Sequence, residues 1–340
     1  MTSNIIYTKA QRTTLVTGGA GFIGSHLCKR LLDEGDHVIC LDDMSTGVQE
    51  HVDLLSENSR FRFICHDVVE PIYLEVDRIF NLACPASPPA YQRDPIHTLL
   101  TNARGAHHML ELARANDARI LQASTSEVYG DPKVNPQQED YRGYVNTMGP
   151  RACYDEGKRC AETLMYDFRR VHGVDSRVAR IFNTYGPNMR ADDGRVVSNF
   201  IIEALQGLDI TIYGDGSHTR SLCYVDDMVE GLMRLMESER EDCGPVNLGN
   251  PEEVTILELA KLVLEITGSK SEIVFLPDAV DDPRVRCPVI ERAKAELNWS
   301  PKVHLLDGML RTVAYFQSEL AIFAGTHEGG QYKPRLMVGS

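Results

Sequence analysis

The sequence lacks a long apolar run, and no segment approaches the roughly 18 consecutive apolar residues of a transmembrane helix. The first dozen residues also lack the apolar stretch of a secretory signal peptide. The nine cysteines form no CxxC pair and no metal-type spacing, so we expect neither a zinc site nor a disulfide framework. Because free thiols are typical of a reducing compartment, we predict a soluble cytoplasmic protein without a bound metal.

Positive charge is scarce as well. The chain has 35 Lys and Arg against 49 Asp and Glu, a formal net charge of -14. This balance argues against a general nucleic-acid or anionic-membrane binder, although a local basic pocket for a small phosphorylated ligand stays open. At 340 residues and 43% hydrophobic, the chain can bury a full core, in one large domain or in one with an appended lobe.

A glycine-rich turn directly follows the first predicted strand, residues 13–17. Gly18 permits a tight turn, Gly21 lets the backbone approach a pyrophosphate, and Gly24 lets the next helix pack on the strand. Apolar residues then recur at helical spacing until Gly35. The N-terminus of that helix offers amide donors and a positive dipole end to phosphate groups. Strand, glycine turn and helix together predict a dinucleotide-binding site.

The second predicted strand, residues 37–41, ends at Asp42, which lies 18 residues after Gly24. An acid at about this distance binds the ribose hydroxyls of a dinucleotide. A carboxylate also repels a 2′-phosphate, and no arginine follows immediately. The sequence therefore favours NAD over NADP.

Further β-rich runs predict strands at residues 61–65, 78–82, 120–124 and 177–182, with a long helix at 96–115. Ligands of open parallel sheets bind beyond the carboxyl ends of the strands. We therefore expect reactive side chains where the fifth strand ends, at Thr125, Ser126 and Glu127.

Tyr154 and Lys158 are four residues apart, on one face of a predicted helix that runs to about residue 172. A phenol normally loses its proton near pH 10. An ammonium one turn away and the positive ring of oxidised nicotinamide would lower the pKa of the phenol. The pair thus predicts a base that removes a hydroxyl proton.

The order of elements predicts an α/β protein with a Rossmann-type, doubly wound parallel sheet and a smaller C-terminal α/β substrate-binding lobe. We assign residues 1–182 to the NAD-binding domain, 183–320 mainly to the lobe and 321–340 to a tail. The chain is expected to cross back once around 218–250, with a helix at 226–236 and a strand at 246–248. Thr255 and Glu258 form a predicted capping box.

Several sequence runs resemble the extended short-chain dehydrogenase/reductase family of nucleotide-sugar epimerases and dehydratases, over about residues 13–320. The glycine run is shared by the whole family, whereas other runs are most similar to its members that decarboxylate UDP-glucuronic acid. The matching runs are LVTGGAGFIGSHL, ACPASPPAYQRDP, ASTSEVYGDP, GPRACYDEGKRCAE, RVARIFNTYGPNM, DGRVVSNFI and VNLGNPEE.

The resemblance implies NAD as cofactor and UDP-glucuronic acid as the small-molecule partner. The NAD contacts that it implies are Gly18, Gly21, Phe22, Ile23, Gly24, Asp42, Asp43, Met44, Asp67, Val68, Leu82, Cys84, Thr101, Tyr154, Lys158, Thr184 and Arg195. The substrate contacts that it implies are Pro85, Ser87, Tyr91, Asn183, Asn199, Tyr213, Arg220 and Arg286. It also implies a homodimer in which helices near 96–115 and 151–172 of each subunit form a four-helix interface.

The implied reaction is oxidation at C4, loss of carbon dioxide from the 4-keto acid, and re-reduction to UDP-xylose. Tyr154 would be the base, Lys158 its partner, and Thr125 a hydroxyl that shares the substrate proton. Ser126 and Glu127 complete the catalytic set, with Glu127 returning a proton to C5.

Three alternatives stay open at this stage. They are a 4,6-dehydratase, a 4-epimerase and a non-catalytic NAD-binding scaffold. Related 4,6-dehydratases carry Asp where this chain has Ser126, because the elimination of water needs an acid. Leu100 and His97 stand where the family commonly has Lys, and Leu100 cannot make that lysine's ionic contact with substrate.

Overall fold

The computed structural model describes residues 12–242, 244–277 and 285–326, with thirteen strands in these ranges. In chain order the strands are β1 (Thr13–Thr17), β2 (His37–Asp42), β3 (Phe61–Cys65), β4 (Arg78–Asn81), β5 (Arg119–Thr125), β6 (Ser176–Ile181), β7 (Thr184–Tyr185), β8 (Ile210–Tyr213), β9 (Thr219–Ser221), β10 (Cys223–Tyr224), β11 (Val246–Leu248), β12 (Glu253–Thr255) and β13 (Ile273–Leu276).

The helices lie between these strands and after the last of them. They are α1 (Phe22–Asp33), α2 (Gln49–Ser56), α3 (Pro88–Tyr91), α4 (Pro95–Leu100), α5 (Ala106–Asn116), α6 (Ala152–His172), α7 (Val196–Gln206), α8 (Val225–Glu237), α9 (Ile256–Thr267), α10 (Glu291–Leu297) and α11 (Leu305–Thr326). A π-helical turn, Thr101–Gly105, joins α4 to α5, and a 3₁₀ turn, Ser126–Tyr129, follows β5.

Seven strands form one parallel sheet in the order β11-β6-β5-β4-β1-β2-β3. The order reverses beside β1, since β2 lies on one side of it and β4 on the other. In such sheets the crevice at the carboxyl ends of the two diverging strands is where a ligand binds. The predicted Rossmann-type parallel sheet is confirmed.

Helices cover both faces of the sheet because successive strand residues point to opposite faces. In β1, Val16 packs in the cluster that contains Leu27 of α1, together with residues of α8. Its neighbour Leu15 packs in a second cluster, with Leu110 of α5 and Met165 of α6. Both faces are therefore buried, which explains why these strands are apolar throughout rather than alternating.

After β6 the described part of the chain forms three two-stranded sheets, and it also returns once to the main sheet. β11 pairs with β6 in parallel, so residues 246–248 extend the main sheet. β12 pairs with β9 and sets Val254 opposite Arg220. The capping box at the start of α9 is present, with Thr255 and Glu258 each satisfying the other's backbone amide.

Two predicted elements differ from the observed ones. The helix expected over 96–115 is interrupted at Thr101–Gly105, where α6 packs closely against the turn: a methyl group added at Gly157 would lie 3.0 Å from Asn102 Cβ. The last helix reaches Thr326, six residues into the predicted tail, and the rest of that tail lies outside the described residues. Within the described ranges, no helix has the length and apolar character needed to cross a bilayer.

Candidate active site

A cleft of about 1290 Å³ opens at the carboxyl ends of β1, β4 and β5. Its wall combines the glycine turn, the ends of the central strands and residues that follow β6. All the predicted catalytic, cofactor and substrate residues line this cleft except Met44 and Tyr91. Leu100 does not line the described cleft either, and it is 41% exposed.

The glycine turn has the geometry that a dinucleotide phosphate site requires. Gly18 has a φ of 68°, in the left-handed region, and a methyl group there would lie 2.9 Å from the backbone nitrogen of Ala83. A methyl group at Gly24 would lie 2.1 Å from the carbonyl oxygen of Gly18. Only glycine fits these positions, so the turn brings bare backbone and the N-terminus of α1 to the cleft, which fits NAD.

Asp42 ends β2 beside this turn and is buried. Its carboxylate accepts hydrogen bonds from the amide N–H groups of Ala20, at 3.1 Å, and Met44, at 3.0 Å. Burial raises the pKa of Asp42, and the two amides oppose that rise. Met44 itself lies off the cleft wall in the left-handed region, with φ 63°, so its structural contribution is this amide.

Asp67 lies farther along the cleft and is bonded to His97, with Oδ2 and Nε2 2.8 Å apart. The hydrogen bond to Asp67 raises the pKa of His97. For Asp67, burial pushes the pKa upward, but the bonds from His97 and from the Val69 amide outweigh it and lower the pKa. Donor atoms of Asp43, Asp67 and His97 come within 4.8 Å of one another, and such exposed acidic groups are common without an ion.

Thr125, Tyr154 and Lys158 meet at the end of β5. Thr125 hydrogen-bonds the phenol of Tyr154, while its own Oγ1 accepts from the amide of Glu127 at 3.2 Å. Lys158 is almost fully buried, and its Nζ donates to the carbonyl oxygen of Ala123 at 2.8 Å. Nζ lies 5.6 Å from the centre of the Tyr154 ring.

The expectation that Lys158 lowers the pKa of Tyr154 is not met by the chain itself. Burial raises the pKa of Tyr154 well above its ordinary value, and the nearby Cys84 and Glu127 act in the same direction. Thr125 and Arg195 oppose this rise, but they do not reverse it. Burial also lowers the pKa of Lys158. The desolvation of the phenol therefore outweighs the charge of the ammonium.

Glu127 is held by arginines on two sides. Its Oε1 and Oε2 accept from Nη1 and Nη2 of Arg286, each at 2.5 Å, in a bidentate pair. Arg151 approaches the same carboxylate at 3.6 Å. Arg286 is 6% exposed, and its Nε has no hydrogen-bond partner among the described residues. The cleft thus has a guanidinium with a remaining donor at its wall, close to Tyr154.

Tyr91 lies behind the cleft wall, where it supports Tyr154. Its ring stacks on that of Tyr154, with centres 5.2 Å apart and planes 10° from parallel, and it is 1% exposed. Its hydroxyl accepts from Nε of Arg151 at 3.0 Å. The structure therefore places Tyr91 against the candidate base rather than at a surface that a substrate can touch.

Sequence reasoning missed Arg151 and Asp155, which flank Tyr154 in the GPRACYDEGKR run. Their signal was in that run, where Arg151 and Asp155 are four residues apart, about one helical turn. What the run could not indicate is that Arg151 lies 3.6 Å from Glu127, more than twenty residues upstream, and that the charge of Glu127 acts on Asp155. Arg284, the other arginine of its predicted loop, lies outside the described residues.

The remaining predicted substrate residues line the part of the cleft beyond β6. Asn199 projects from α7, and its Oδ1 has no hydrogen-bond partner within the described ranges. Arg220 is 7% exposed and is fixed in β9, with Nη1 donating to the carbonyl oxygen of Thr219 at 2.8 Å. Asn183 and Tyr213 complete this part of the wall, and Pro85 and Ser87 line the cleft from the segment between β4 and α3.

Comparison with known proteins agrees with this geometry. The family model described as "NAD dependent epimerase/dehydratase family" matches residues 14–249. The chain is 54% identical over 312 residues to UDP-glucuronic acid decarboxylase 1 of Danio rerio, covering 92% of this chain and 74% of that protein. It is also 54% identical over 306 residues to UDP-glucuronic acid decarboxylase 1 of Arabidopsis thaliana, covering 90% and 70%.

Solved structures give the same family. The UDP-glucose 4-epimerase of Thermotoga maritima, with UDP-glucose, superposes with a TM-score of 0.82 at 31% identity, covering 91% of this chain and 99% of that one. The UDP-glucuronic acid 4-epimerase of Bacillus cereus, with UDP-glucuronic acid and NAD, gives 0.81 at 28%, covering 90% and 99%. The predicted family and its cofactor, NAD, are confirmed. The chain belongs to the NAD dependent epimerase/dehydratase family.

Proposed function

We propose that this protein converts UDP-glucuronic acid to UDP-xylose and carbon dioxide, with NAD as its cofactor. The observation that carries the proposal is the position of Arg286 and Glu127 beside Thr125 and Tyr154. A guanidinium suits the geometry of a sugar carboxylate. The curated relatives at about 54% identity carry the same activity in their names, which supports the assignment.

Ser126 favours decarboxylation over the elimination of water. A 4,6-dehydratase needs an acid to protonate the departing C6 hydroxyl, and a serine hydroxyl is too weak an acid for that at neutral pH. A carboxylate at this position would also repel the carboxylate of a uronic acid. The buried Ser126 is neutral and does neither.

The residues of the cleft divide the reaction between them. Thr125 and Tyr154 hold the C4 hydroxyl, and Tyr154 takes its proton. Lys158 anchors the ribose, and the glycine turn and Asp42 hold the remainder of NAD. When bound, NAD would supply the oxidation of C4 to a ketone and its later re-reduction, and its positive ring would lower the pKa of the phenol that burial raises.

The C4 ketone makes loss of the carboxylate feasible, because it accepts the electron pair of the broken bond as an enolate. Donors from Thr125 and the protonated Tyr154 stabilise that enolate. Arg286 binds the carboxylate before it leaves, and Glu127 delivers the proton that C5 takes up. We assign the nucleotide end of the substrate to the wall formed by Asn183, Asn199, Tyr213 and Arg220.

We also propose that residues after β6, apart from α8 and β11, form the substrate-binding lobe. The free state of all eight cysteines that the structure describes supports a reducing location such as the cytoplasm. Limited proteolysis tests the division: after cleavage within residues 183–195 the two fragments should stay associated, because α8 and β11 of the second fragment pack in the NAD-binding domain of the first. Cell fractionation tests the proposed cytoplasmic location, and recovery of the protein from an oxidising compartment would contradict it.

The surface of the helix pair favours the proposed homodimer. α4 exposes Ile96 (73%) and Leu99 (40%), and α6 exposes Tyr166 and Val171 (58% each). Unpartnered apolar side chains on adjacent helices are typical of an interaction surface.

We expect light scattering after size exclusion to give twice the chain mass. The double substitution Ile96→Asp/Leu99→Asp should yield monomers, because it puts charge into an apolar contact. Leu54→Asp, at an equally exposed position on α2, should leave the dimer intact. A monomeric wild-type protein at micromolar concentration would contradict the interface.

The product identifies the reaction. Incubation with UDP-glucuronic acid and NAD should give UDP-xylose and carbon dioxide in equal amounts, measured by mass spectrometry and gas release. Under the same conditions dTDP-glucose should remain unchanged. Formation of UDP-galacturonic acid would indicate a 4-epimerase, and consumption of dTDP-glucose would indicate a dehydratase.

Tyr154→Phe should reduce turnover at least about a hundredfold, the low end for losing general acid–base catalysis. NAD affinity, measured by fluorescence titration, should change little because the ring and its stacking on Tyr91 are kept. Tyr73→Phe serves as the matched control, since Tyr73 is 89% exposed and does not line the described cleft. Near-normal turnover of Tyr154→Phe would refute its role as the base.

Asp42→Ala should weaken NAD binding about tenfold or more, since hydrogen bonds to charged groups contribute roughly 1.5–3 kcal/mol. Discrimination against NADP should fall at the same time, because one carboxylate accounts for both effects. Titration of NADH and NADPH fluorescence measures both. Asp53→Ala on α2 is the control and should leave both affinities unchanged. Equal affinity of the wild type for the two cofactors would contradict the role of Asp42 in excluding NADP.

A further inference from the structure

Decarboxylation consumes a proton, and the cleft must supply one in every turnover. The bond between C5 and the carboxylate carbon breaks, carbon dioxide leaves, and a new C5–H bond forms. Glu127 is the side chain that faces this step, yet both of its oxygens are bound to Arg286, and Arg151 lies 3.6 Å away. Cations on two sides favour the ionised carboxylate. Glu127 in this arrangement is therefore poorly suited to hold the proton at rest.

Asp155 is a second carboxyl group beside this cluster. It follows Tyr154 on α6 and is 6% exposed. Its Oδ1 is fully buried and has no hydrogen-bond partner among the residues that the structure describes. Asp155 also does not line the described cleft, whereas Glu127 and Tyr154 do. An ionised carboxylate with a buried, unpaired oxygen is unfavourable, so this environment favours the protonated form.

We propose that Asp155 stores the proton that decarboxylation consumes and passes it to Glu127, directly or through one water molecule. The inference rests on the proposed function. When the substrate carboxylate binds Arg286, Glu127 loses its bidentate cation and becomes the stronger base of the two. The proton then moves from Asp155 to Glu127.

The atoms and charges of the step balance. The electron pair of the broken C5–carboxylate bond moves into the enolate that the C4 ketone forms. Glu127 gives its proton to C5 as the enolate collapses back to the ketone. Asp155, now ionised, is reprotonated from solvent after the product leaves. Asp155 acts only through Glu127, so it is a positioning and proton-storing residue rather than a catalytic one.

The charges around Asp155 support this role. Burial raises the pKa of Asp155 to about 8, and the charge of Glu127 acts in the same direction. Arg286 and Arg151 oppose the rise, and Glu156 on the same helix adds a smaller increase. The phenol of Tyr91 is also close enough to Asp155 for the charge of Asp155 to raise the pKa of Tyr91. Asp155 is thus mainly protonated at neutral pH, and it loses its proton as the pH rises through about 8.

The pH dependence of product formation tests the proposal. In wild-type protein the rate of pentose formation should fall as the pH rises past about 8, because the ionised Asp155 has no proton to give. Asp155→Asn should lower that rate at least about tenfold and remove this alkaline fall. Asp155→Glu should restore part of the rate and the fall. C4 oxidation, followed by NADH absorbance in a single turnover, should stay within about twofold in all three proteins.

Infrared titration gives a readout that does not depend on activity. Because burial also raises the pKa of Glu203 and Asp193, the readout is the difference between the spectra of wild type and Asp155→Asn. Without substrate this difference should show the carbonyl band of a protonated carboxylic acid at pH 7, and the band should vanish above pH 9. Glu156→Gln, the neighbouring acid on α6, is the control: it should keep the band and shift the pH profile only slightly to lower pH, because Glu156 makes the smallest contribution to the pKa of Asp155. If Asp155→Asn fails to fold, the wild-type titration and Asp155→Glu decide.

A wild-type rate and pH profile in folded Asp155→Asn would overturn the proposal, as would the absence of the infrared band from the wild type. Failure of the proposed function looks different, because the wild type would then release no carbon dioxide at any pH. The band of Asp155 could still be present in that case, but the proton would have no decarboxylation to serve, and the proposal would fall with the function.

Discussion

The bidentate pair of Glu127 and Arg286 is the interaction on which the site depends. It joins the turn after β5 to a segment that follows β13 by several residues, so it connects the parallel sheet to the C-terminal part of the chain. Backbone bonds between Gln137 and both Cys287 and Val289 hold the same segment in place. A buried ion pair stabilises a protein only when its geometry satisfies both partners, and removing one partner is strongly unfavourable. The two short, parallel hydrogen bonds satisfy both oxygens of Glu127 and pair Nη1 and Nη2 of Arg286, while Nε of Arg286 stays unpartnered among the described residues.

Under the proposed function, this pair would also explain how the cleft recognises a uronic acid. A substrate carboxylate and Glu127 compete for the same guanidinium, whose remaining Nε donor is unpartnered among the described residues. Exchange of one carboxylate for another keeps Arg286 paired throughout, so the buried cation is never left without an anion. Binding then changes the charge around Glu127 and Asp155 at the moment when a proton is required.

The candidate base raises a related constraint. Desolvation keeps the phenol of Tyr154 neutral in the chain alone, in spite of Lys158. A base of this kind becomes effective only when a positive charge enters the cleft, as the oxidised nicotinamide ring does. The burial that makes the phenol a poor base by itself thus couples its activation to the oxidised form of the cofactor. Lys158 donates a hydrogen bond to the carbonyl oxygen of Ala123, so its position is fixed before the cofactor binds.

Local patterns in the sequence predicted most of the sheet. The β1 strand, the glycine turn and the end of β2 at Asp42 follow from residue order alone, because propensity, period and turn chemistry agree there. α7 was not predicted, although Asn199, Glu203 and Gln206 recur at helical spacing within its mostly apolar run. The π-helical turn at Thr101–Gly105 was not predicted either, and in the structure it packs closely against α6.

The site was predictable where a motif carries its own chemistry, as at Tyr154 and Lys158. It was not predictable where residues distant in sequence meet. The stacking of Tyr91 on Tyr154 and the contact of Arg151 with Glu127 are products of the fold. The raised pKa of Tyr154 could not be predicted either, because burial is a property of the packed structure and not of a four-residue spacing.

The central claim is that one cleft oxidises C4, releases carbon dioxide and reduces the same carbon again. UDP-glucuronic acid deuterated at C4 tests it most directly, with the nucleotide-sugar product analysed by mass and NMR. The account predicts a UDP-pentose that retains deuterium at C4, because the atom removed in the first step returns in the last. A product without deuterium, or a 4-keto-pentose that accumulates with an equal amount of NADH, would contradict it.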